Sequence, residues 1–393
     1  LTCKIYRIIY SNMTYFPRQF HLTPGQGTAP KKVHLIFGAR QTGKSTLLNQ
    51  LADADTVCIN LQESAQRRSF ERNPSILTQQ LRAKREKCLR VTIDEIQRVP
   101  ALLDEVQFLF DQHPDQFEFI LTGSSARKLK SSSANLLPGR SHLHRLPPLI
   151  LTERSGFAPG QVLSLPVLGE TPSGFPAASL SDLLLFGNLP GVAREDPSSR
   201  AKTLESYVEI YLEDEIRREA LVRNMGAFQQ FLELAAMESG NIINLTALSQ
   251  QSGVPVATLR TFYHVLEDTY VGYRIPAFGE RTRKRILTTP KFLFFDLGAR
   301  NAAARLHFSE DLLRTQQGRL LENWVGLELI HRCLYLGRAY RVSFWRTAHH
   351  AEVDFVLETP EEAVPIEVKW TDAPREADTR FLKQFLATYP KKA

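Results

Sequence analysis

The chain has 393 residues, of which 43% are hydrophobic and 23% charged, a composition that predicts two or three domains with buried cores and excludes a wholly disordered chain. No stretch approaches the roughly 20 apolar residues that a membrane-spanning helix requires, so we expect no membrane partner and a cytoplasmic location. Lysine and arginine number 49 against 42 aspartate and glutamate residues, a net charge of +7, which permits a polyanionic partner without requiring one. The four cysteines form neither a CxxC pair nor a zinc-ligand spacing, and this favours a reducing compartment over a disulfide framework.

The chain begins with Leu1, and residues 1–12 mix two basic side chains with apolar ones. We interpret these residues as an upstream extension before Met13, poorly ordered unless it is docked. The alternative is a short helix or strand that packs on the core that follows.

A strand, a glycine-rich loop and a helix follow one another between residues 33 and 49. The apolar run VHLIF predicts a buried strand, and GARQTGKS after it matches the phosphate-loop pattern GxxxxGK[ST]. Main-chain N–H groups of such a loop, together with the N-terminus of the next helix, attract phosphate oxygens. Lys44 is expected to contact the β- and γ-phosphates, and Ser45 is expected to ligate Mg²⁺. The predicted nucleotide-binding residues are Gly38, Ala39, Arg40, Gln41, Thr42, Gly43, Lys44, Ser45 and Thr46.

Two further apolar segments end in polar side chains of the kind that act on a bound triphosphate. The first ends in Asp94 and Glu95; we predict that Asp94 holds Mg²⁺ and that Glu95 orients or deprotonates the attacking water. Arg90 is unexpected in this strand if both faces are buried; either it reaches an edge or the strand is less central. The second segment ends in Ser124 and Ser125, and a serine there can sense the γ-phosphate if the two strands are neighbours. Since the chain has no NKxD motif for guanine, ATP is the expected nucleotide.

Four segments in this order resemble one protein family: GARQTGKSTLLNQL, IDEIQRVPALLDEVQFLFD, FILTGSSARKL and LPGRSH. They are similar to AAA-type ATP-binding proteins that carry an appended DUF4143 region, and the resemblance covers most of the chain from Met13 onward. It implies an α/β fold whose P-loop core has a parallel sheet, with Walker A at Gly38–Ser45 and Walker B at Asp94 and Glu95. The catalytic residues that it implies are Glu95, Lys44 and Ser124, with Ser125 as the alternative sensor.

The family also has a Gly-Arg pair after the sensor region, and Arg140 stands at the matching position. Two interpretations stay open for Arg140: a phosphate or inter-subunit contact, and an ordinary surface arginine. The segment that follows, HLHRLPPLILTE, departs from the PLSF-type stretch of relatives.

A segment rich in glycine, proline and serine predicts where the chain divides. We place a P-loop ATPase core in residues 13–152, a linker in 153–180, a helical and winged-helix domain in 181–304, and a restriction-endonuclease-like α/β domain in 305–393. In the second domain, LLLFGNLPGV resembles the family's GG-x-P turn. A helix is predicted over Tyr207–Glu219, where Asp214 matches an acid of the family; we interpret its charges as a solvated, salt-bridged face.

A helix–turn–helix pattern lies between Asn244 and Glu267. Ser249 precedes Gly253 by four residues, and apolar residues follow at the spacing of a second helix. Two predicted strands come next, around a basic tip of Arg281, Arg283, Lys284 and Arg285, and the whole resembles a winged helix. In a DNA-binding role, Thr258, Arg260 and the cations of the tip meet the phosphate backbone. The alternative is a winged helix that serves packing only.

The last segment resembles the PD-(D/E)xK nuclease fold. A helix over Gly318–Leu334 carries Glu322, one strand carries Asp354, and the next carries Glu367 and Lys369. Asp354 and Glu367 are predicted to share Mg²⁺, Glu322 to complete the metal shell, and Lys369, on the same strand face as Glu367, to position water. An active nuclease and an inactive scaffold both stay open. Relatives continue into a further strand, so we expect this domain to be C-terminally truncated.

These motifs predict an ATPase (ATP hydrolase) that uses ATP with Mg²⁺ and couples its nucleotide state to DNA binding or processing. The alternative is a slow nucleotide-gated switch whose nuclease-like domain is catalytically inactive. AAA-type ATPases often place their sites between subunits, so the resemblance allows a homo-oligomer, although no motif counts the subunits.

Overall fold

The structure is a computed structural model that describes residues 15–20, 22, 32–84, 89–113, 115–125, 137–154, 179–212, 224–279, 289–347 and 349–389. These residues fold into two compact units, an N-terminal unit that ends at Leu146 and a C-terminal unit that begins at Pro147. The upstream extension, Asp214 and the basic tip at residues 281–285 lie outside the described residues. The domain bounds expected from the sequence stay predictions.

The N-terminal unit is built on a five-stranded parallel sheet in the order β2-β3-β4-β1-β5. Its strands are β1 (Val33–Phe37), β2 (Val57–Asn60), β3 (Leu89–Asp94), β4 (Phe117–Gly123) and β5 (Ser141–Arg145). Strand β1 is buried throughout, and β3 and β4 are buried at all but one position each. Because both faces of such strands are covered, their sequences are mostly continuous apolar runs. The predicted α/β core with a parallel sheet is confirmed.

The strand order places β4 directly between β1 and β3. Because all five strands run in the same direction, the loops that follow β1, β3 and β4 open at one edge of the sheet. The segment that ends in Ser124 is therefore the neighbour of the segment that ends in Asp94. The connecting helices of this unit are α1 (Lys44–Leu51), α2 (Ser64–Arg72), α3 (Ile76–Arg82), a short 3₁₀ helix (Ile96–Arg98) and α4 (Leu102–Gln112).

Strand β3 accommodates an arginine although it has neighbours on both sides. The Arg90 Nε atom lies 2.8 Å from a carboxylate oxygen of Glu118, the residue opposite it on β4. A second guanidinium nitrogen donates to the Leu51 carbonyl oxygen at 2.6 Å. The charge is thus paired at the start of the strand, and the interpretation of β3 as a less central strand is wrong.

The C-terminal unit is mainly helical, with a small hairpin and a three-stranded antiparallel sheet in the order β10-β9-β8. Its helices are α5 (Leu151–Arg154), α6 (Leu180–Phe186), α7 (Pro190–Ala193), α8 (Pro197–Ser206), α9 (Met225–Met237), α10 (Leu245–Ser252), α11 (Val256–Asp268), α12 (Leu297–Ala303), α13 (Glu310–Leu336) and α14 (Arg380–Thr388). Its strands are β6 (Gly272–Ile275), β7 (Lys291–Phe294), β8 (Arg341–Arg346), β9 (Glu352–Glu358) and β10 (Ala363–Ile366). A π-helical turn (Tyr207–Leu212) follows α8, and a 3₁₀ helix (Glu376–Thr379) precedes α14.

Several element bounds differ from those expected. Helix α13 begins at Glu310 and bends at Gln316, whose backbone is not helical. Strand β10 ends at Ile366, so the placement of Glu367 and Lys369 on one strand face is wrong. The next backbone N–H after Glu367, that of Val368, donates to the Asp354 carboxylate at 2.8 Å instead of to a strand carbonyl.

Helices α10 and α11 form the predicted helix–turn–helix. Gly253 ends α10 with φ +67°, a left-handed conformation that favours glycine. Helices α10 and α11 pack on α9, and α11 packs on β6 of the hairpin. Among the described residues, no helix is both long enough and apolar enough to cross a bilayer.

Candidate functional site

The loop after β1 depends on two glycines. A Cβ atom on Gly38 would lie 2.3 Å from the Leu146 carbonyl oxygen, a distance that no side chain tolerates. Gly43 precedes α1 with φ +91°, which a residue with a side chain rarely adopts. Together the glycines bring the loop against the segment that follows β5, where the Leu146 N–H donates to the Phe37 carbonyl oxygen at 2.7 Å.

Side chains of the loop close it on itself. The Thr42 hydroxyl donates to the Ala39 carbonyl oxygen at 3.0 Å, and Arg18 donates to the Thr42 carbonyl oxygen at 2.6 Å. The buried Lys44 ammonium donates to the carbonyl oxygens of Gly38 and Ala39 at 2.9 and 2.8 Å. The ammonium is therefore already held across the loop that the sequence assigns to phosphate binding. The remaining predicted binding residues lie around it partly or fully exposed: Arg40, Gln41, Ser45 and Thr46.

Asp94 meets the loop at the end of β3. The Ser45 hydroxyl donates to Asp94 Oδ2 at 2.6 Å, and Gln62 donates to the same oxygen at 3.3 Å. The Thr122 hydroxyl donates to the other carboxylate oxygen. Hydroxyl and carboxylate oxygens side by side are the hard ligands that Mg²⁺ prefers. Ser45 and Asp94 therefore fit the role of holding this ion.

Glu95 is held tightly although it follows the strand in an unusual backbone conformation. Its φ of +62° and ψ of +46° are left-handed, a region that costs a residue with a side chain about 1–3 kcal/mol. Gln97 donates to Glu95 Oε2 at 2.7 Å, and the Arg98 Nε atom lies 3.8 Å from the same oxygen. The carboxylate is buried. It is therefore oriented by neighbours on its own chain segment.

The end of β4 supplies the third element of the site. Ser124 and Ser125 are both buried, and the Ser124 hydroxyl accepts a hydrogen bond from Gln97 at 2.9 Å. Arg140, by contrast, is in an ion pair with Asp111 at 2.5 Å, and both side chains are more than a third exposed. The structure thus brings the loop residues Lys44 and Ser45 to the same edge of the sheet as the strand-end residues, which are Asp94, Glu95, Ser124 and Ser125. Arg140 instead has a partner on the surface.

Sequence reasoning missed four polar residues of this site. Gln97 and Thr122 lie within the quoted motifs, three positions after Asp94 and two before Ser124, so their spacing was a usable signal. Arg18 and Gln62 reach the site by folding alone, and no local pattern marks them.

A second charged cluster lies in the C-terminal unit around Lys291. Its ammonium lies 2.8 Å from Glu352 Oε1 and 3.3 Å from Glu322 Oε1, and its side chain is 4% exposed. The ring centroids of Phe344 and Phe355 lie 5.5 and 5.9 Å from the ammonium. Burial by itself would lower the pKa of Lys291, but Glu322 and Glu352 outweigh it and raise that pKa. Lys291 is therefore a buried cation that carboxylates enclose.

Of the four residues predicted for the nuclease-like centre, Glu322 pairs with this cation, and Asp354 lies beside the segment of the other two, where it accepts from the Val368 N–H at 2.8 Å. Burial raises the pKa of Glu322, Lys291 opposes that shift, and the charge of Asp354 adds to it. Burial also raises the pKa of Glu367; the hydrogen bond from Lys369 opposes that shift, and the charge of Asp354 adds to it. Burial by itself would lower the pKa of Lys369, but its hydrogen bond to Glu367 and the charges of Glu367 and Asp354 outweigh burial and raise that pKa. Glu367 and Lys369 pair at 2.6 Å.

Lys291 pairs with Glu322, one of the three carboxylates predicted to hold a metal ion. Within the described part of the chain, no three His, Cys, Asp or Glu side chains are arranged to hold one metal ion. Sequence reasoning missed Lys291 because a single lysine before an apolar strand has no pattern of its own.

Family comparisons divide the chain into three parts. Residues 30–155 match a family described as an AAA domain, residues 177–310 match a domain of unknown function, DUF8612, and residues 317–393 match another, DUF4143. The resemblance found in the sequence, an AAA-type domain with a C-terminal DUF4143 region, is confirmed.

Similar curated proteins are themselves uncharacterized. Proteins of Mycobacterium bovis and Mycobacterium tuberculosis are each 24% identical over 347 residues, which is 87% of this chain and 71% of theirs. A Haemophilus influenzae protein is 21% identical over 355 residues, 86% of this chain and 82% of its own. Among solved structures, a DNA polymerase III gamma subunit-related protein of Thermotoga maritima is 9% identical with a TM-score of 0.24, over 68% of this chain and 98% of that one.

Proposed function

We propose that this chain, an AAA-type domain followed by a DUF4143 region, is an ATPase that hydrolyses ATP with Mg²⁺. One observation carries the proposal: Ser45, Asp94 and Glu95 meet at the edge of the sheet where the phosphate loop opens. The match of residues 30–155 to an AAA domain supports it.

Each residue has a role that follows from its position. The N–H groups of the loop and the Lys44 ammonium bind the β- and γ-phosphate oxygens. Ser45 and Asp94 would hold Mg²⁺, which supplies positive charge to the phosphate oxygens. Glu95 accepts the proton of the attacking water as the water oxygen bonds to the γ-phosphorus and the bond to the β-phosphate oxygen breaks. ADP and inorganic phosphate leave.

A Glu95→Gln variant tests this proposal. It keeps the shape of the side chain and removes the proton acceptor, so we expect hydrolysis to fall by about 10²–10⁴-fold while ATP affinity is kept. Glu71→Gln, an exposed position on α2, is the matched control and should hydrolyse as the wild type does. A wild type that binds ATP and turns over none would favour the nucleotide-gated switch. Full activity of Glu95→Gln would contradict the proposed base.

We propose DNA as the polymer partner and read α9, α10, α11 and the β6–β7 hairpin as a winged helix. On α11, Arg260 is exposed and Thr258 half-buried, and the chain as a whole is basic. Binding of duplex DNA should weaken in Arg260→Ala, and the slope of log affinity against log salt should fall by about 1. Arg314→Ala, whose arginine is 75% exposed on α13, is the control. Equal binding by wild type and Arg260→Ala would leave the helices a packing role.

The location and assembly follow from the same proposal. We propose a cytoplasmic ATPase, whose reducing compartment would keep thiols such as the buried Cys333 reduced. Sedimentation with and without ATP and Mg²⁺ would show whether nucleotide assembles the chain into a homo-oligomer.

A further inference from the structure

We infer that Gln97 is a positioning residue for hydrolysis, which acts by holding Glu95 and Ser124 through one amide group. This inference rests on the proposed ATPase function. Gln97 lies in the short 3₁₀ helix directly after Glu95, and its side chain is buried.

The amide nitrogen of Gln97 has two acceptors. It donates to Glu95 Oε2 at 2.7 Å and to the Ser124 hydroxyl oxygen at 2.9 Å. Because a side-chain amide is planar and its two N–H bonds point in fixed directions, it sets the separation of these two acceptors. Glu95 follows β3 and Ser124 follows β4. Gln97 therefore ties together the ends of two neighbouring strands at the nucleotide edge of the sheet.

The orientation of the amide is determined by charge. Turning the amide over would place its oxygen against the Glu95 carboxylate, which is repulsive, so the nitrogen faces Glu95. Gln97 Oε1 is then buried and has no hydrogen-bond partner among the described residues. A buried acceptor without a donor is unfavourable for stability and calls for an explanation. The explanation lies in the two hydrogen bonds that the amide nitrogen donates, since they orient groups that we infer act on the nucleotide.

Gly123 makes room for this arrangement. A Cβ atom at Gly123 would lie 2.6 Å from Gln97 Oε1 and 2.7 Å from the Phe37 ring. The residue before Ser124 therefore has to be glycine for the amide to lie where it does.

The consequence for hydrolysis concerns both acceptors. The hydrogen bond from Gln97 to Oε2 restricts rotation of the Glu95 carboxylate, which is the group proposed to accept the proton of the attacking water. The hydrogen bond from Gln97 likewise fixes the position of the Ser124 hydroxyl, which is the group proposed to sense the γ-phosphate. Gln97 touches neither water nor phosphate in this scheme and works through its two neighbours.

Gln97→Met tests the positioning role, because methionine has similar length and no N–H donor. We expect kcat to fall at least tenfold, while the affinity for a non-hydrolysable ATP analogue stays within twofold. Gln112→Met, at an exposed position at the end of α4, is the matched control and should leave both values unchanged. Thermal unfolding of each variant shows whether it is folded, and the isosteric Gln97→Glu, which also lacks the donors, should lose kcat in the same way. Wild-type kcat in Gln97→Met or in Gln97→Glu would overturn the inference.

A double-mutant cycle separates positioning from a structural role. If Gln97 acts partly through Glu95, Gln97→Met should cause a smaller loss of kcat in a Glu95→Gln background than in the wild type. Independent, multiplying losses would overturn the inference while leaving the ATPase proposal intact. A folded wild type that hydrolyses no ATP would instead contradict the proposed function, before any Gln97 variant is compared.

Discussion

The Ser45 hydroxyl and the Asp94 carboxylate lie 2.6 Å apart, although 49 positions separate them in the chain. The contact joins the start of α1 to the end of β3, across the intervening strand β4. It places two oxygen ligands at the mouth of the phosphate loop.

Asp94→Asn should remove the Mg²⁺-dependent part of ATP affinity. The substitution keeps the shape of the side chain and removes its charge, and a hydrogen bond or ligand bond to a charged group contributes about 1.5–3 kcal/mol. We expect the affinity for ATP with Mg²⁺ to fall by roughly tenfold or more, measured by calorimetry, while affinity in EDTA changes little. Asp104→Asn, exposed on α4, is the control. An unchanged effect of Mg²⁺ in Asp94→Asn would show that this carboxylate holds no metal.

Gly38→Ala should weaken nucleotide binding by displacing the backbone of the phosphate loop. The added methyl group would meet the Leu146 carbonyl oxygen at 2.3 Å, so the loop or the segment after β5 has to move. We expect at least a tenfold loss of ATP affinity, because a displaced loop no longer presents its N–H groups to phosphate. Gly191→Ala, where an added Cβ meets nothing within 4 Å, should bind normally. Normal binding by Gly38→Ala would mean that the loop tolerates the shift.

The free energy of unfolding should fall as the pH is lowered from about 6.5 toward 4, because of three histidines on β1 and β5. His34 Nδ1 lies 3.0 Å from His144 Nε2. Burial lowers the pKa of His144, and with the charge repulsion from His34 and His142 the pKa reaches about 4. Burial and the charge of His142 also lower the pKa of His34. Glu118 opposes this downward shift, and Arg90 adds to it.

The sign follows because the unfolded chain binds protons that the folded chain rejects. Stability is therefore complete above pH 6.5 and is lost toward pH 4, by about 2 kcal/mol for His144 after allowance for its partial exposure. Urea unfolding at several pH values measures this loss. His144→Gln should flatten the pH dependence, and His349→Gln, an exposed position in the C-terminal unit, should leave it unchanged. An equally steep loss in His144→Gln would assign the effect to other groups.

Lys291→Met should destabilise the chain by about 1–3 kcal/mol, because it leaves the partly buried carboxylates of Glu322 and Glu352 without their cation. Urea unfolding measures the loss. Glu352→Gln added to Lys291→Met should restore part of it by removing one of the stranded charges. A loss below about 1 kcal/mol would show that Lys291 contributes little.

The ion pairs of Lys291 also lead us to expect a particular result in a nuclease assay. Since Lys291 already neutralises Glu322 and Glu352, we expect the wild type to leave linear and single-stranded DNA uncut with Mg²⁺ or Mn²⁺. Cutting that persists in Lys44→Ala and disappears in Asp354→Ala would contradict this and establish an independent nuclease.

Much of the N-terminal unit was predictable because its signals are local. A buried parallel strand is a continuous apolar run, and the phosphate loop is eight adjacent residues, so both appear in the sequence without knowledge of the fold. The bounds of the C-terminal elements were less predictable. Strand β10 ends at Ile366, and just beyond it the Val368 N–H donates to Asp354, 14 positions earlier in the chain, instead of continuing the strand pairing. No local pattern reports such a competition.

The sequence alone determined the α/β class, the phosphate loop, the two strand ends that face it and the resemblance to AAA-type proteins with a DUF4143 region. Only the tertiary structure decided that one amide of Gln97 joins Glu95 to Ser124, and that Lys291 lies among the carboxylates of the C-terminal centre. The physical reason is that hydrogen bonds and ion pairs depend on distances of about 3 Å between atoms, and residues far apart in the chain come that close only when the strands and helices pack.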